Sequence, residues 1–162
     1  MSNPLDKLLL LGDERLYQVC TSITDSELSQ VAVWVAEMAE VMQAVRQKYG
    51  FGRAIAAPQV GIMKRLVYLH IDRPMVFINP EISYPTAETF ELWDDCMSFP
   101  NLLVKVRRHK EIVLHYRDRH WQPQTLLLRD DLAELLQHEC DHLDGVLCTM
   151  RAIDSQSFRW RP

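Results

Sequence analysis

LLQHECDHLDG, residues 135–145, places two histidines and a glutamate within an apolar helical pattern. His138 and His142 are four positions apart, so a helix carries them on one face, where both imidazoles can bind one metal ion. Glu139 projects beside them and can hold a water molecule without binding the metal itself. The alternative is a solvated helix face with chance histidines. Leucines at 132, 135, 136 and 143 make the helix amphipathic and partly buried, which favours a metal site.

This pattern supplies only two metal ligands, whereas a catalytic metal usually has three protein ligands and an open position for water. The twenty residues after His142 contain no histidine and no glutamate, which excludes the downstream third ligands of thermolysin-like and metzincin peptidases. The third ligand is therefore expected upstream. Cys96, in DDCMSFP at 94–100, follows a strand-like segment and precedes a turn. An isolated cysteine there would be a buried apolar residue, but beside an incomplete histidine pair it becomes the candidate thiolate ligand.

A third segment, GFGRAIAAPQVG at 50–61, holds three of the five glycines of the chain. Its small residues would let the backbone approach a ligand closely. It is not a phosphate-binding loop, because no Lys-Ser/Thr pair follows it and no βαβ unit surrounds it. Gln59 could donate its amide into a site or lie on the surface of a tight turn, and both interpretations stay open.

Helices are predicted near both ends of the chain. Apolar residues at steps of three and four predict the first helix, with Thr24 and Glu27 forming a capping box and Gly50 ending it. The second helix is predicted from about Asp130 to Leu143, with acidic residues at its N-terminal end.

Between the helices the apolar period changes to two, and prolines separate short segments. The predicted strands are RLVYLHI (65–71), MVFIN (75–79), ETFELW (88–93), LLVKVRR (102–108), EIVLHYRD (111–118) and TLLL (125–128). The order of helix, strands and helix predicts a single α+β domain over residues 1–162. In this fold a long N-terminal helix and a metal-binding helix pack with short, mostly antiparallel strands.

The overall composition excludes several classes of protein. Apolar residues make up 48% of the chain, which is enough for a hydrophobic core. A net charge of −4 argues against nonspecific binding of nucleic acid. No apolar run approaches the roughly 18 residues of a membrane span, so we expect a cytoplasmic protein, or an organelle protein after removal of a presequence. Four cysteines are too sparse for a disulfide scaffold and are expected to be thiols.

Three segments, in this order, resemble the motifs of peptide deformylase. With φ for an apolar residue, that family has G-φ-G-φ-A-A-x-Q, E-G-C-φ-S and H-E-x-x-H. This chain has GRAIAAPQ (52–59), DDCMS (94–98) and HECDH (138–142), with further similarity at LGDERL (11–16) and INPEI (78–82). The resemblance spans roughly residues 8–152. It implies a single catalytic domain that removes the N-formyl group from formylmethionyl peptides or nascent chains and releases formate.

The resemblance also assigns roles to residues. It implies that Cys96, His138 and His142 bind one metal ion per chain, that a metal-activated water attacks the formyl carbon, and that Glu139 is the general acid and base. The family typically uses Fe²⁺, and Zn²⁺, Ni²⁺ or Co²⁺ can substitute. The ligand set by itself does not select iron over zinc.

The same motifs imply how the substrate is held. The side chain of Gln59 and the backbone N–H of Met97 would stabilise the charge that develops on the formyl oxygen. The expected substrate-binding residues are Gly52, Arg53, Ala54, Asp95 and Glu134.

The chain departs from the family pattern beside the cysteine and around the substrate. Asp94 and Asp95 replace Glu-Gly, Ala54 replaces a glycine, and Glu134 lies one turn before His138. These carboxylates, with those at 130 and 131, suggest an acidic rim that would favour basic substrates. The alternative, held equally, is that they are solvated or paired with the arginines at 53, 107 and 108.

The C-terminal segment differs as well. RAIDSQSFRWRP, 151–162, is too short for the long C-terminal helix that some bacterial deformylases use at the ribosome. Contact through the basic run RRHK (107–110) is a substitute, although a solvated strand end is the favoured interpretation. A different class of function, a paralogue that binds metal or ligands without catalysis or prefers another acyl group, also stays open.

Overall fold

The computed structural model describes residues 2–162 and shows the expected α+β architecture. Within these residues two α-helices and eight β-strands follow one another along the chain. Their bounds are α1 (Leu28–Tyr49), β1 (Ala54–Ala56), β2 (Leu66–His70), β3 (Pro74–Ser83), β4 (Thr89–Asp94), β5 (Leu102–His109), β6 (Glu111–Arg117), β7 (Pro123–Arg129), α2 (Asp130–Leu143) and β8 (Phe158–Trp160). No helix among the described residues is both long and apolar enough to cross a membrane.

Helix α1 forms where the apolar stripe predicted it. The N–H of Thr24 donates to Glu27 Oε2 at 2.9 Å, as in a capping box. The difference is that residues 25–27 form a 3₁₀ turn, so the α-helix itself begins at Leu28. Gly50 ends the helix with a φ of 77°, a left-handed conformation that glycine adopts without steric penalty.

The strands form two antiparallel sheets. One has five strands in the order β1-β2-β3-β6-β7, and the other has three in the order β4-β5-β8. All six predicted strands are confirmed. Strands β1 and β8 were not predicted, because each has only three residues and neither shows the alternation of a half-buried strand.

The five-stranded sheet separates the two helices. Leu66 and Tyr68 of β2 pack in the cluster that contains the apolar face of α1. Val67 and Leu69 point to the opposite face and pack with Leu136 and other residues of α2. This alternation follows from the two-residue period of a strand. Helix α2 also contacts β5 of the second sheet, so its middle turns are enclosed on several sides.

Candidate metal centre

Helix α2 presents its two histidines to the interior of the protein. Leu136 and Leu143 anchor the helix in the core, and His138 and His142 are buried beside them. The Nε2 atoms of the two histidines lie 3.2 Å apart. The helix therefore brings both imidazoles to one point, as the spacing of four residues predicted.

Cys96 reaches these histidines from the loop that follows β4. Its Sγ lies 3.5 Å from His142 Nε2. One donor atom each from Cys96, His138 and His142 lie within 4.8 Å of one another, and all three residues are buried. Two imidazoles and a thiol are donors that suit iron, zinc and related divalent transition metals. The residues present therefore fit a metal ion.

A second group of possible donors shares His138. One donor atom each from Asp94, His138 and Cys148 also lie within 4.8 Å of one another. Here Asp94 Oδ2 lies 2.9 Å from Nδ1 of His138, while the Nε2 atom faces His142. A carboxylate on Nδ1 is the usual way in which a protein orients a metal-binding imidazole. The geometry therefore favours Cys96 as ligand and Asp94 as the group that orients His138. The position of Cys148 was not predicted, since no motif spacing connects it to HECDH.

Asp94 is itself held by a buried arginine. Arg108 Nη2 donates to Asp94 Oδ2 at 3.1 Å, and Arg108 Nη1 donates to Asp141 Oδ2 at 2.6 Å. Burial disfavours the charged form of Asp94, but His138 and Arg108 outweigh burial and hold its pKa below the usual value. Burial likewise opposes a charged His138, yet the adjacent Asp94 raises its pKa. Burial and the charge of His138 lower the pKa of His142.

Glu139 is buried next to the two histidines. Its side chain is 4% exposed, and its Oε2 atom is buried without a hydrogen-bond partner. Burial raises the pKa of this carboxyl to about 7. A carboxyl with such a pKa can both accept and return a proton near neutral pH.

Gln59 is buried in the same region, so the surface alternative is wrong. The side chain is 1% exposed. Its Oε1 accepts a hydrogen bond from the N–H of Ala56 at 3.0 Å. Its Nε2 lies 3.2 Å from Ser98 Oγ and 3.5 Å from Cys96 Sγ. The bond to Ala56 therefore directs the amide donor toward the thiol.

These groups surround one cavity of about 290 Å³. Gln59, Met97 and Glu139 line it together with Cys96 and His138. Its other lining residues are Gly50, Phe51, Gly52, Arg53, Ala54, Asp94, Asp95, Glu134 and Leu135. Every predicted catalytic, metal-binding or substrate-binding residue except His142 thus lines this cavity, and His142 is buried. Such a volume can admit part of a peptide next to the candidate metal ligands.

A family model of polypeptide deformylase matches residues 5–158. The chain belongs to the peptide deformylase family. It is therefore a metallohydrolase of the deformylase type. The peptide deformylase of Microchaete diplosiphon is 35% identical over 163 residues, covering 96% of this chain and 83% of that protein. The peptide deformylase of Brachyspira hyodysenteriae is 34% identical over 151 residues, covering 88% of this chain and 78% of that protein.

Solved deformylases share the fold. The structure from Synechococcus elongatus in complex with actinonin has a TM-score of 0.83 and 33% identity, covering 96% of this chain and 82% of that one. The Thermotoga maritima enzyme has a TM-score of 0.79 and 31% identity, covering 91% of this chain and 97% of that one. These similarities extend over nearly the whole domain and confirm the predicted α+β class.

Arginines face the unusual carboxylates of this deformylase. Arg53 contacts Glu134 Oε1 at 2.9 Å and Asp131 Oδ2 at 2.7 Å, while Arg108 contacts Asp94. Asp95 Oδ2 lies 2.7 Å from a guanidinium nitrogen of the arginine at 161, which the sequence did not single out. The arginine at 107 instead pairs with the glutamate at 91. The geometry therefore favours paired carboxylates over a free acidic rim.

Two small residues of this deformylase shape the cavity wall. Gly52 has a φ of 129°, a conformation that residues with a Cβ rarely adopt, and Met97 lies next to it. Ala54 is buried in β1 and pairs with Leu69 of β2, so its methyl group is part of the core. The alanine that replaces a glycine at 54 is therefore accommodated.

Proposed function

We propose that this deformylase removes the N-formyl group from formylmethionyl peptides, using Cys96, His138 and His142 as ligands of one metal ion. The observation that carries the proposal is the convergence of two imidazoles and a thiol on one wall of a cavity. Beside them lies Glu139, a buried carboxyl with one unpaired oxygen.

The bound metal would activate a water molecule for attack on the formyl carbon. Glu139 accepts the proton of that water as the new carbon–oxygen bond forms. The Gln59 amide and the Met97 backbone N–H donate hydrogen bonds to the formyl oxygen, and each donor can be worth about 3 kcal/mol. Glu139 then gives its proton to the amine as the carbon–nitrogen bond breaks. Formate and a peptide with a free N-terminus are the products.

Fe²⁺ is the proposed native metal, with one ion per chain. Imidazole and thiolate donors also suit Zn²⁺, Ni²⁺ and Co²⁺, which are proposed as substitutes. The proposed substrates of this deformylase are formylated peptides and nascent chains. Its proposed place of action is therefore the cytoplasm or an organelle that makes such chains.

Contact with the ribosome through residues 107–110 has little support in the side chains of that segment. Arg108 is buried between Asp94 and Asp141. Arg107 pairs with Glu91, and both residues lie on the paired strands β4 and β5. The segment therefore fits a strand end better than a basic docking surface.

Formate release tests the proposed function directly. The protein would be loaded anaerobically with Fe²⁺, or with Ni²⁺ as a stable substitute, and mixed with a formylmethionyl tripeptide. We expect formate to appear in proportion to bound metal, with no cleavage of casein. Stoichiometric metal binding without formate would instead support a non-catalytic paralogue or another acyl substrate.

Replacing Asp94 with asparagine is expected to weaken metal binding by about 10- to 100-fold, the usual effect of losing a group that orients a metal-binding histidine. The asparagine would keep the size of the side chain but lose the charge that faces His138 and Arg108. Competition with a coloured chelator measures the change. Glu91→Gln, which removes an exposed carboxylate from the same strand, is the control. Equal affinities in the two variants would contradict the orienting role.

The pocket beside the metal centre is expected to discriminate weakly among peptide substrates that differ in the side chain of their first residue. Glu134 is buried there, and burial together with the charge of Asp94 raises its pKa to about 7. Because Arg53 pairs with it, we expect no preference for basic over neutral residues. Glu134→Leu should raise kcat/KM for formyl-Met relative to formyl-Gln tripeptides by about tenfold, since a methionine side chain gains apolar contacts.

Formyl tripeptides that begin with Met, Gln or Lys measure this preference. Asp131→Leu is the matched control, because its exposed carboxylate pairs with the same Arg53. We expect less than a twofold change in that variant. A large preference of the unmodified protein for Lys would restore the hypothesis of an acidic rim.

A further inference from the structure

The segment that follows α2 joins the three-stranded sheet as β8. Strand β8 pairs with the start of β5, where Leu102 is opposite Trp160. The next residue, Arg161, donates its backbone N–H to the carbonyl of Asn101 at 2.7 Å. This pairing places Arg161 beside the loop that carries Cys96 and connects β4 to β5.

The guanidinium of Arg161 contacts three different groups. Nη2 donates to Asp95 Oδ2 at 2.7 Å, and Nε donates to the carbonyl of Pro100 at 3.0 Å. The central carbon of the group lies 4.1 Å from the centre of the Phe51 ring. The planar group therefore uses both its hydrogen-bonding edge and its face.

These contacts join two residues that line the cavity. Asp95 directly precedes Cys96 in the chain. Phe51 directly precedes Gly52, in a segment far from Asp95 along the chain. We propose that Arg161 is a positioning residue, which ties Phe51 to Asp95 and so sets the width of the cleft that receives the peptide.

The proposal rests on the proposed function, because it assumes that a peptide occupies this cleft. Arg161 is not placed among the reacting groups, so its loss should affect binding more than chemistry. We expect Arg161→Ala to raise KM for a formylmethionyl tripeptide about three- to tenfold, as suits a partly exposed ion pair with an added cation–π contact. The value of kcat should change less than twofold.

Arg159→Ala is the matched control. Arg159 lies two residues away on β8, and its guanidinium is 4.1 Å from the centre of the Trp93 ring. Trp93 does not line the cavity, whereas Phe51 and Asp95, the partners of Arg161, do. We expect KM for this variant to equal that of the unmodified protein. Arg161→Lys should recover part of the loss, because an ammonium group can pair with Asp95 but cannot reproduce the planar contacts.

A double-mutant cycle with Asp95→Asn separates positioning from general stability. If Arg161 acts through Asp95, the KM of the double variant should be no higher than the KM of Arg161→Ala alone. The metal content and the melting temperature of Arg161→Ala should match those of Arg159→Ala. Additive effects on KM, or an unchanged KM in Arg161→Ala, would overturn the proposal. A fall in kcat together with lost metal would also overturn it, since Arg161 would then support the metal centre instead.

Binding of actinonin, the ligand in the Synechococcus elongatus structure, provides a readout that needs no turnover. We expect its Kd to rise in Arg161→Ala by a factor similar to that of KM. If the unmodified protein binds actinonin but releases no formate, the proposed function fails and the Kd values still decide the role of Arg161. A protein that shows neither formate release nor actinonin binding would overturn both.

Discussion

Glu139→Ala should lower kcat for formate release by about 10²- to 10⁴-fold, the usual contribution of a general acid and base. The loss follows because Glu139 is the carboxyl next to both histidines whose Oε2 has no protein partner. In the proposed reaction it takes a proton from water and returns it to the leaving amine. Single-turnover assays with the metal-loaded variant measure the effect on the chemical step.

The same substitution should leave the fold and the metal intact. A buried polar atom without a partner costs roughly 1–3 kcal/mol, so its removal is not expected to lower the melting temperature of the metal-free protein. One metal ion per chain should still bind, because Cys96, His138 and His142 remain. Glu139→Gln keeps the shape of the side chain and should be equally slow. A variant that retains more than a tenth of the normal kcat would refute the assigned role.

Cys96→Ser is expected to weaken metal binding by more than about a hundredfold, beyond the usual effect of losing an outer partner of a ligand. A serine hydroxyl is a poor ligand for a metal that favours thiolate and imidazole. Formate release should fall with the metal content. Elemental analysis after desalting gives the stoichiometry, and titration against a chelator gives the affinity.

Two other cysteines provide controls for this prediction. Cys140 lies on α2 between the histidines, but it packs in the core cluster between the five-stranded sheet and α2. The Cys140→Ser variant should therefore keep its metal. Cys148 belongs to the alternative donor group with Asp94 and His138. Loss of metal in Cys148→Ser, with metal retained in Cys96→Ser, would show that the wrong thiol has been assigned.

Local chemistry made part of the fold predictable. Helix α2 begins and ends at the predicted residues, Asp130 and Leu143, because acidic residues at its start and its amphipathic pattern are short-range signals. The two short strands were not predictable in this way. Ala54–Ala56 and Phe158–Trp160 are strands because of the partners they meet, and three residues carry no usable period.

The candidate site was also predictable only in part, where its residues lie close together in the chain or belong to a motif. The approach of His138 to His142 follows from helix geometry alone. The position of Cys96 was inferred by elimination and by the family resemblance, since 46 residues separate it from His142. The sequence showed which carboxylates surround the site, but it did not show which arginines pair with them. Arg53 is 81 residues away from Glu134, and no local pattern pairs them.

By itself, the sequence determined the helices and most of the strands, because these depend on the periodicity of apolar residues. Its motifs also identified the family and indicated which residues are candidate ligands. Only the tertiary structure decided which groups far apart in the chain meet. It paired Asp94 with His138 and Arg108, and it carried Arg161 across to Asp95. Such contacts depend on how the strands pair and how the sheets pack around α2. The interaction of two charges depends on their separation in space rather than along the chain.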